Sequence, residues 1–226
     1  MRFPFALFLS VGLSISSVAF AETFEGKPRV LDGDTLRFGA VSVRLDAIDA
    51  AESGQTCVAA GGGEWNCGEA ATKRLSELVA HGVVCESNKM DLYRRYLATC
   101  VNSDGININQ ALVEEGLVWA FRRYSMEYAP FEDAAREKGL GIWQTPTMAP
   151  WDYRKGAWGA AVSVSSEEAL KDCPIKGNIN TGGEKIYHMP WQRSYAKVKI
   201  DTGKGERWFC DEGEAVAAGW RAAASR

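Results

Sequence analysis

The chain has 226 residues, 46% of them hydrophobic and 24% charged, which is ordinary globular composition and excludes disordered and fibrous classes. That length suits one sizeable domain and a small second one. A formal net charge of −3 argues against a polybasic nucleic-acid binder, and six cysteines with two histidines leave too few soft ligands for a multi-zinc protein.

The first residues, MRFPFALFLSVGLSISSVAFA, place Arg2 before an apolar stretch that ends in Ala19-Phe20-Ala21. This is the pattern of a cleaved export signal over residues 1–21, too short and too serine-rich for a membrane span, so a periplasmic or secreted protein is expected. No later segment is apolar enough to span a bilayer. In an oxidising compartment an even cysteine count reads as disulfides. Chain order favours Cys57 with Cys67 across a Gly-rich loop, Cys85 with Cys100 in two facing strand-like runs, and Cys173 with Cys210 around the C-terminal segment.

Residues 28–49 read as β-structure, with Val41, Val43, Leu45 and Ala47 on one parity and turns at Gly33 and Gly39-Ala40. Residues 67–81 have helical spacing at Ala71, Leu75, Leu78 and Val79 and stop at Gly82. Strands return at 83–89 and 96–101, followed by short helices over 107–116 and from Pro130 to Gly139. The order predicts a mainly β, α+β fold: a five-stranded Greek-key barrel of OB type with three helices, over residues 22–145. Residues 146–170, with two prolines and a Gly/Ala/Ser run, read as a linker, and 171–226 as a small module.

Residues 22–150 carry 13 Lys and Arg against 19 Asp and Glu, so a polyanion would need a local reversal of sign. Asp32-Gly33-Asp34-Thr35 sits at a strand turn, Arg44 lies among valines on the next strand, and Asp49 and Glu52 follow that strand's end. A second basic run, Tyr93-Arg94-Arg95-Tyr96, comes later. Each alone reads as a turn or a solvated face; together they point to a metal-plus-arginine phosphate site.

The segments VLDGDTLRF, VRLDAIDAAE, DLYRRYLA, INQALVEEGL and GLGIW resemble the staphylococcal-nuclease-like thermonuclease family, in order and spacing, over residues 24–145. The resemblance implies a Ca2+-dependent, sugar-nonspecific nuclease that cleaves DNA and RNA to 3′-phosphate ends. Single-stranded or unpaired substrate is expected to be preferred, since stacking platforms and phosphate clamps work without base readout, and no obligate protein partner is expected. By position, Asp34, Asp49 and the Ala50 backbone carbonyl match the metal ligands, and Asp32 a supporting acid. Glu52 matches the general base, Arg44 and Arg95 the phosphate-clamping arginines, and Tyr93 a substrate-contacting ring. Two departures stand out. Ala51 replaces a usual proline before the glutamate, which is expected to leave the base's loop less restricted, and Arg94 replaces a usual glycine. The alternative reading is a catalytically weak or silent OB-type nucleic-acid-binding module of the cell envelope. In the C-terminal segment, Trp191, Tyr195, Trp208 and Trp220 are expected mainly as core, since a domain of about fifty residues needs them.

Overall fold

A computed structural model describes residues 21–164 and 173–223; the expected signal peptide, but for Ala21, lies outside them. The first strands are β1 (Glu22–Gly26), β2 (Arg29–Val30), β3 (Thr35–Phe38), β4 (Val41–Leu45) and β5 (Ile48–Ala50). A small disulfide-bonded hairpin, β6 (Cys57–Val58) and β7 (Glu64–Trp65), leads into α1 (Cys67–Leu78). Then come β8 (Val83–Met90), β9 (Tyr96–Asn102), α2 (Ile108–Glu114), β10 (Val118–Ala120) and α3 (Ala129–Glu137). Six strands form one sheet in the order β1-β8-β9-β4-β3-β2, a half-barrel, and β5 pairs separately with β10. The α+β, OB-type class follows the sequence expectation. The short strand β10 and the edge strand β1 are additions: β1 has only Phe24 as a large apolar residue, and its pairing with β8 defines it.

Alternation on β4 sends Val43 and Leu45 into the core, where they meet Leu36, Ile48, Leu75, Ile108 and Leu112, and leaves Arg44 on the opposite face. Two registers then bring the acids to that arginine. Thr35 lies opposite Arg44 across the antiparallel β3–β4 pair, and Trp119 lies opposite Asp49 across β5–β10. The fully buried Asn109 on α2 locks the same corner. It donates to the carbonyls of Asp46 (3.0 Å) and Ala98 (3.1 Å) and accepts from the Cys100 N–H (3.1 Å).

Gly33, read in the sequence as a turn residue, has another use here. A Cβ there would lie 2.7 Å from the Ala50 Cβ and 2.8 Å from the Ala71 Cβ, so its bareness lets β5 and α1 close on the DGDT turn. Gly68 is tighter still, since a Cβ would fall 1.9 Å from the Glu52 carbonyl oxygen. The first turn of α1 therefore presses directly on the loop that carries Glu52.

The segment expected as a linker contains a helix, α4 (Pro150–Val164). Beyond it lies a second sheet built from β11 (Ile175–Ile179), β12 (Lys185–His188), β13 (Arg207–Phe209) and β14 (Arg221–Ala222), with α5 (Glu212–Ala217) between the last two. The order is β13-β11-β12-β14. Ile175, Tyr187, Met189, Phe209, Ala215 and Trp220 form its core, with Trp191 packed against it. Tyr195 and Trp208 instead flank the Lys176 ammonium, at 4.3 and 5.6 Å from Nζ to each ring centre. The three disulfides join Cys57–Cys67, Cys85–Cys100 and Cys173–Cys210, the pairing expected from chain order. His188 is hydrogen-bonded through both ring nitrogens, to Ser194 Oγ (2.9 Å) and Asn178 Oδ1 (2.8 Å).

Two outcomes follow. Gly68→Ala is expected to lower stability by about 1–3 kcal/mol in chemical denaturation, as overpacking against fixed backbone does. Burial, with the charges of Lys176 and Arg221, lowers the His188 pKa below its ordinary value of 6.5. The neutral ring's contribution is therefore present above pH 6.5 and lost as pH falls through the depressed folded value. His188→Gln is expected to flatten that part of the acid-side fall in melting temperature.

Candidate active site

The DGDT turn forms its own support. Asp32 Oδ1 accepts the Asp34 N–H (3.1 Å), which turns the Asp34 side chain inward. Asp34 Oδ1 accepts from Thr35 Oγ1 (2.9 Å), and Oδ2 accepts the Ala50 N–H (3.0 Å). One buried carboxylate thus binds β3 to β5. Arg44 lies between the acids: Nη1 donates to Asp34 Oδ1 at 2.6 Å and Nη2 to Asp49 Oδ1 at 2.7 Å. Asp34 is 3% exposed and Asp49 0%.

Those contacts set the ionisation. Burial pushes the Asp34 carboxyl up, but Arg44 and the Ala50 N–H outweigh it and hold the group below its usual range. Burial would also lower Arg44, yet Asp34 and Asp49 raise it above the ordinary guanidinium value. At Asp32 the balance goes the other way: burial and the neighbouring Asp34 charge outweigh Arg44 and the Asp34 N–H and push the group up to about 7. Glu52 is pushed up to about 8, by burial first, against the pull of Arg154. A carboxylate that ionises near neutrality suits proton transfer.

Asp32, Asp34, Arg44, Ala50, Glu52, Tyr93 and Arg95 line a single cleft of about 1090 Å³, and Asp49 sits just beneath it on Arg44. Arg95 is oriented by Asp91, which accepts its Nε (2.7 Å) and its backbone N–H (2.9 Å). Its guanidinium lies 5.2 Å from the Tyr93 ring centre. Arg94, in the position where the resemblance places glycine, takes φ +61° and keeps the turn. Of the Phe121–Tyr124 run, Phe121 stacks on Trp151 (5.5 Å, 13°), whereas Tyr124 is 71% exposed at the cleft. Arg122 is committed to Glu132 (2.5 Å) and to Asp133.

Two contributors lie outside the sequence reading. Gln55, 2% exposed, accepts the Glu52 N–H at 3.2 Å and donates to the Met148 carbonyl at 2.6 Å. Arg154 on α4 donates to Glu52 Oε1 (2.8 Å) and to Asp49 Oδ2 (2.6 Å) and Oδ1 (3.2 Å). The loop that carries Glu52 has anchors of its own: Gln55 and the Cys57–Cys67 bridge hold it, and α1 packs against it at Gly68. Ala51 is buried with Trp119 and Ile142, a niche that needs no ring.

Among the described residues no three His, Cys, Asp or Glu side chains are grouped to hold a metal ion. Asp34, Asp49 and the Ala50 carbonyl offer only oxygen. That donor set suits a hard divalent cation that fills the rest of its shell with water, and both carboxylates already answer to positive charge.

A family model described as "Staphylococcal nuclease homologue" matches residues 42–145. The chain is 32% identical over 174 residues to the micrococcal nuclease of Shigella flexneri, covering 69% of this chain and 94% of that protein. It is 32% identical over 137 residues to an uncharacterized endonuclease of Escherichia coli O157:H7, covering 56% and 83%. With the succinoglycan biosynthesis protein ExoI of Rhizobium meliloti (strain 1021) it shares 32% identity over 127 residues, 55% of this chain and 66% of that one. Carried on an OB-type half-barrel whose carboxylates and arginines meet in one cleft, these matches place the chain in the staphylococcal nuclease family, as a hydrolase acting on phosphodiester bonds.

Proposed function

We propose that this chain is an exported, Ca2+-dependent, sugar-nonspecific nuclease that cleaves DNA and RNA and leaves 3′-phosphate ends. The observation that carries the reading is the meeting of Glu52, Arg44 and Arg95 in one cleft directly above the Asp34–Arg44–Asp49 cluster. Asp34, Asp49 and the Ala50 carbonyl would hold the cation. When bound, it supplies Lewis-acid polarisation of the phosphoryl oxygens and offsets the local carboxylate charge.

The chain's own groups do the rest. Glu52 orients water and takes its proton as the water attacks phosphorus, and the P–O5′ bond breaks so that the 5′-oxygen leaves and is protonated to a 5′-hydroxyl. Negative charge grows on the non-bridging oxygens as the oxygen attacks, and Arg44 and Arg95 donate hydrogen bonds there. Arginine suits this role because its planar fork matches a phosphate's two oxygens. Arg44 has five N–H donors and spends two on Asp34 and Asp49, so it can bind phosphate without leaving its acids. Arg95 spends Nε on Asp91, which aims the fork's terminal groups.

Substrate preference follows from the cleft's walls. Tyr93 and the exposed Tyr124 offer faces on which any unpaired base can stack, without base-edge readout, and this supports single-stranded or unpaired DNA and RNA. Export is supported by three disulfides among the described residues, which are rare in reducing compartments. No described helix is long and apolar enough to cross a membrane.

Glu52→Gln, Arg44→Ala and Arg95→Ala are each expected to lower turnover by roughly 10²–10⁴-fold, with circular dichroism of the Glu52 and Arg95 variants unchanged. Near wild-type digestion by any of the three would reject the roles assigned. EGTA is expected to abolish digestion of single-stranded DNA, and added Ca2+ to restore it. Binding of oligonucleotide with no metal-dependent cleavage would instead select the silent binding module.

A further inference from the structure

The chemistry above makes no use of Arg154, a half-buried cation beside the acids. Arg154, on the second turn of α4, supplies Asp49 with a partner on the oxygen that Arg44 does not take: Arg44 Nη2 holds Oδ1 at 2.7 Å and Arg154 Nη2 holds Oδ2 at 2.6 Å. The same guanidinium reaches Glu52 at 2.8 Å. Its side chain is only 24% exposed and that of Glu52 18%, so this is no loose surface pair.

Packing fixes where Arg154 sits. Trp151 stacks on Phe121, and Trp158 lies 6.4 Å from Trp191 of the C-terminal module. Gln55 joins the Glu52 N–H to the Met148 carbonyl just ahead of α4, so the helix and the base's loop share one buried amide.

We propose that Arg154 is an intramolecular competitor for the divalent-cation site, a guanidinium that neutralises Asp49 and Glu52 and must release Asp49 before the ion binds. The helix that follows the nuclease domain thereby sets the protein's affinity for calcium. The inference rests on the reading of Asp34, Asp49 and Ala50 as metal ligands. Its physical basis is that a fixed positive charge and a divalent ion seek the same carboxylate oxygens and repel one another.

Calorimetric titration of CaCl2 into the full mature chain and its Arg154→Gln and Arg154→Lys variants tests this without using catalysis. Arg154→Gln is expected to bind calcium about tenfold more tightly than wild type. Arg154→Lys, which keeps the charge but lacks the fork, is expected to fall between them. Without calcium, Arg154→Gln is expected to melt at a lower temperature and to gain more on calcium addition than wild type does. Unchanged or weaker calcium affinity in a natively folded Arg154→Gln protein would overturn the proposal. Should that variant fail to fold without metal, wild-type affinity in Arg154→Lys would overturn it instead. Uptake by Arg154→Gln alone supports the competition. Uptake by neither protein overturns the metal-site reading and this inference with it, whereas uptake by both with equal affinity overturns this inference only.

Discussion

Two carboxylates with almost no access to water cannot both stay ionised unless positive charge is built in beside them. Asp34 and Asp49 meet that condition through Arg44, which touches both. A buried ion pair of this kind is weak evidence for stability, since desolvation offsets much of the attraction. Losing one partner is a different matter, because it strands the other charge in the interior. The cluster therefore constrains the fold more than it strengthens it: β3, β4 and β5 must keep their registers, or an uncompensated charge is left behind.

The topology meets this demand economically. Arg44 faces away from the core because its neighbours Val43 and Leu45 face into it. Asp34 reaches it from the adjacent antiparallel strand, and Asp49 from the next segment after a turn in which Ala47 takes φ +59°. Arg95 enters at the start of β9, the parallel neighbour of β4, with Leu97 in register with Arg44. One continuous stretch, residues 32–52, and the distant Arg95 thus meet at one cleft, and Gly33 and Gly68 let the supporting backbones approach closely enough to hold it.

Much of this was legible in the chain. The alternation of β4, the helices over residues 67–81, 107–116 and 130–139, and the Cys57–Cys67 and Cys85–Cys100 pairs follow from local pattern, whereas Cys173 and Cys210, 37 residues apart, follow from chain order alone. The acids and arginines were legible through their combination and spacing. Gln55 and Arg154 were not. A glutamine in a loop and an arginine in a Gly- and Ala-containing helix carry no local sign of their partners, which lie 93 and 105 residues away for Met148 and Asp49. Helix α4 was itself obscured by Gly156 and Gly159, which lower intrinsic helix propensity; Trp151 and Trp158, stacked on neighbouring elements, supply the packing that propensity does not. The reading of Gly33 as a turn residue alone was incomplete for the same reason. Asp-Gly is a turn signal in isolation, and only the packed structure reveals that space, not backbone freedom, is what the glycine provides.

That helix also extends the cluster beyond the barrel. The family match ends at residue 145, and the strands that carry Asp34, Arg44, Asp49 and Arg95 all precede it. Yet Asp49 and Glu52 take charge from Arg154, the Glu52 loop is tied to Met148, and the cleft's far wall includes Trp191 and Trp220. The acidic α5 faces the same space through Glu212, whose carboxylate accepts from Tyr187 Oη. Asp211 and Arg221 line the cleft beside it, so the module adds charges of both signs to the site. The electrostatics of the site therefore belong to the whole chain: the barrel carries Asp34, Arg44 and Arg95, and the segment after it reaches Asp49 and Glu52 through Arg154.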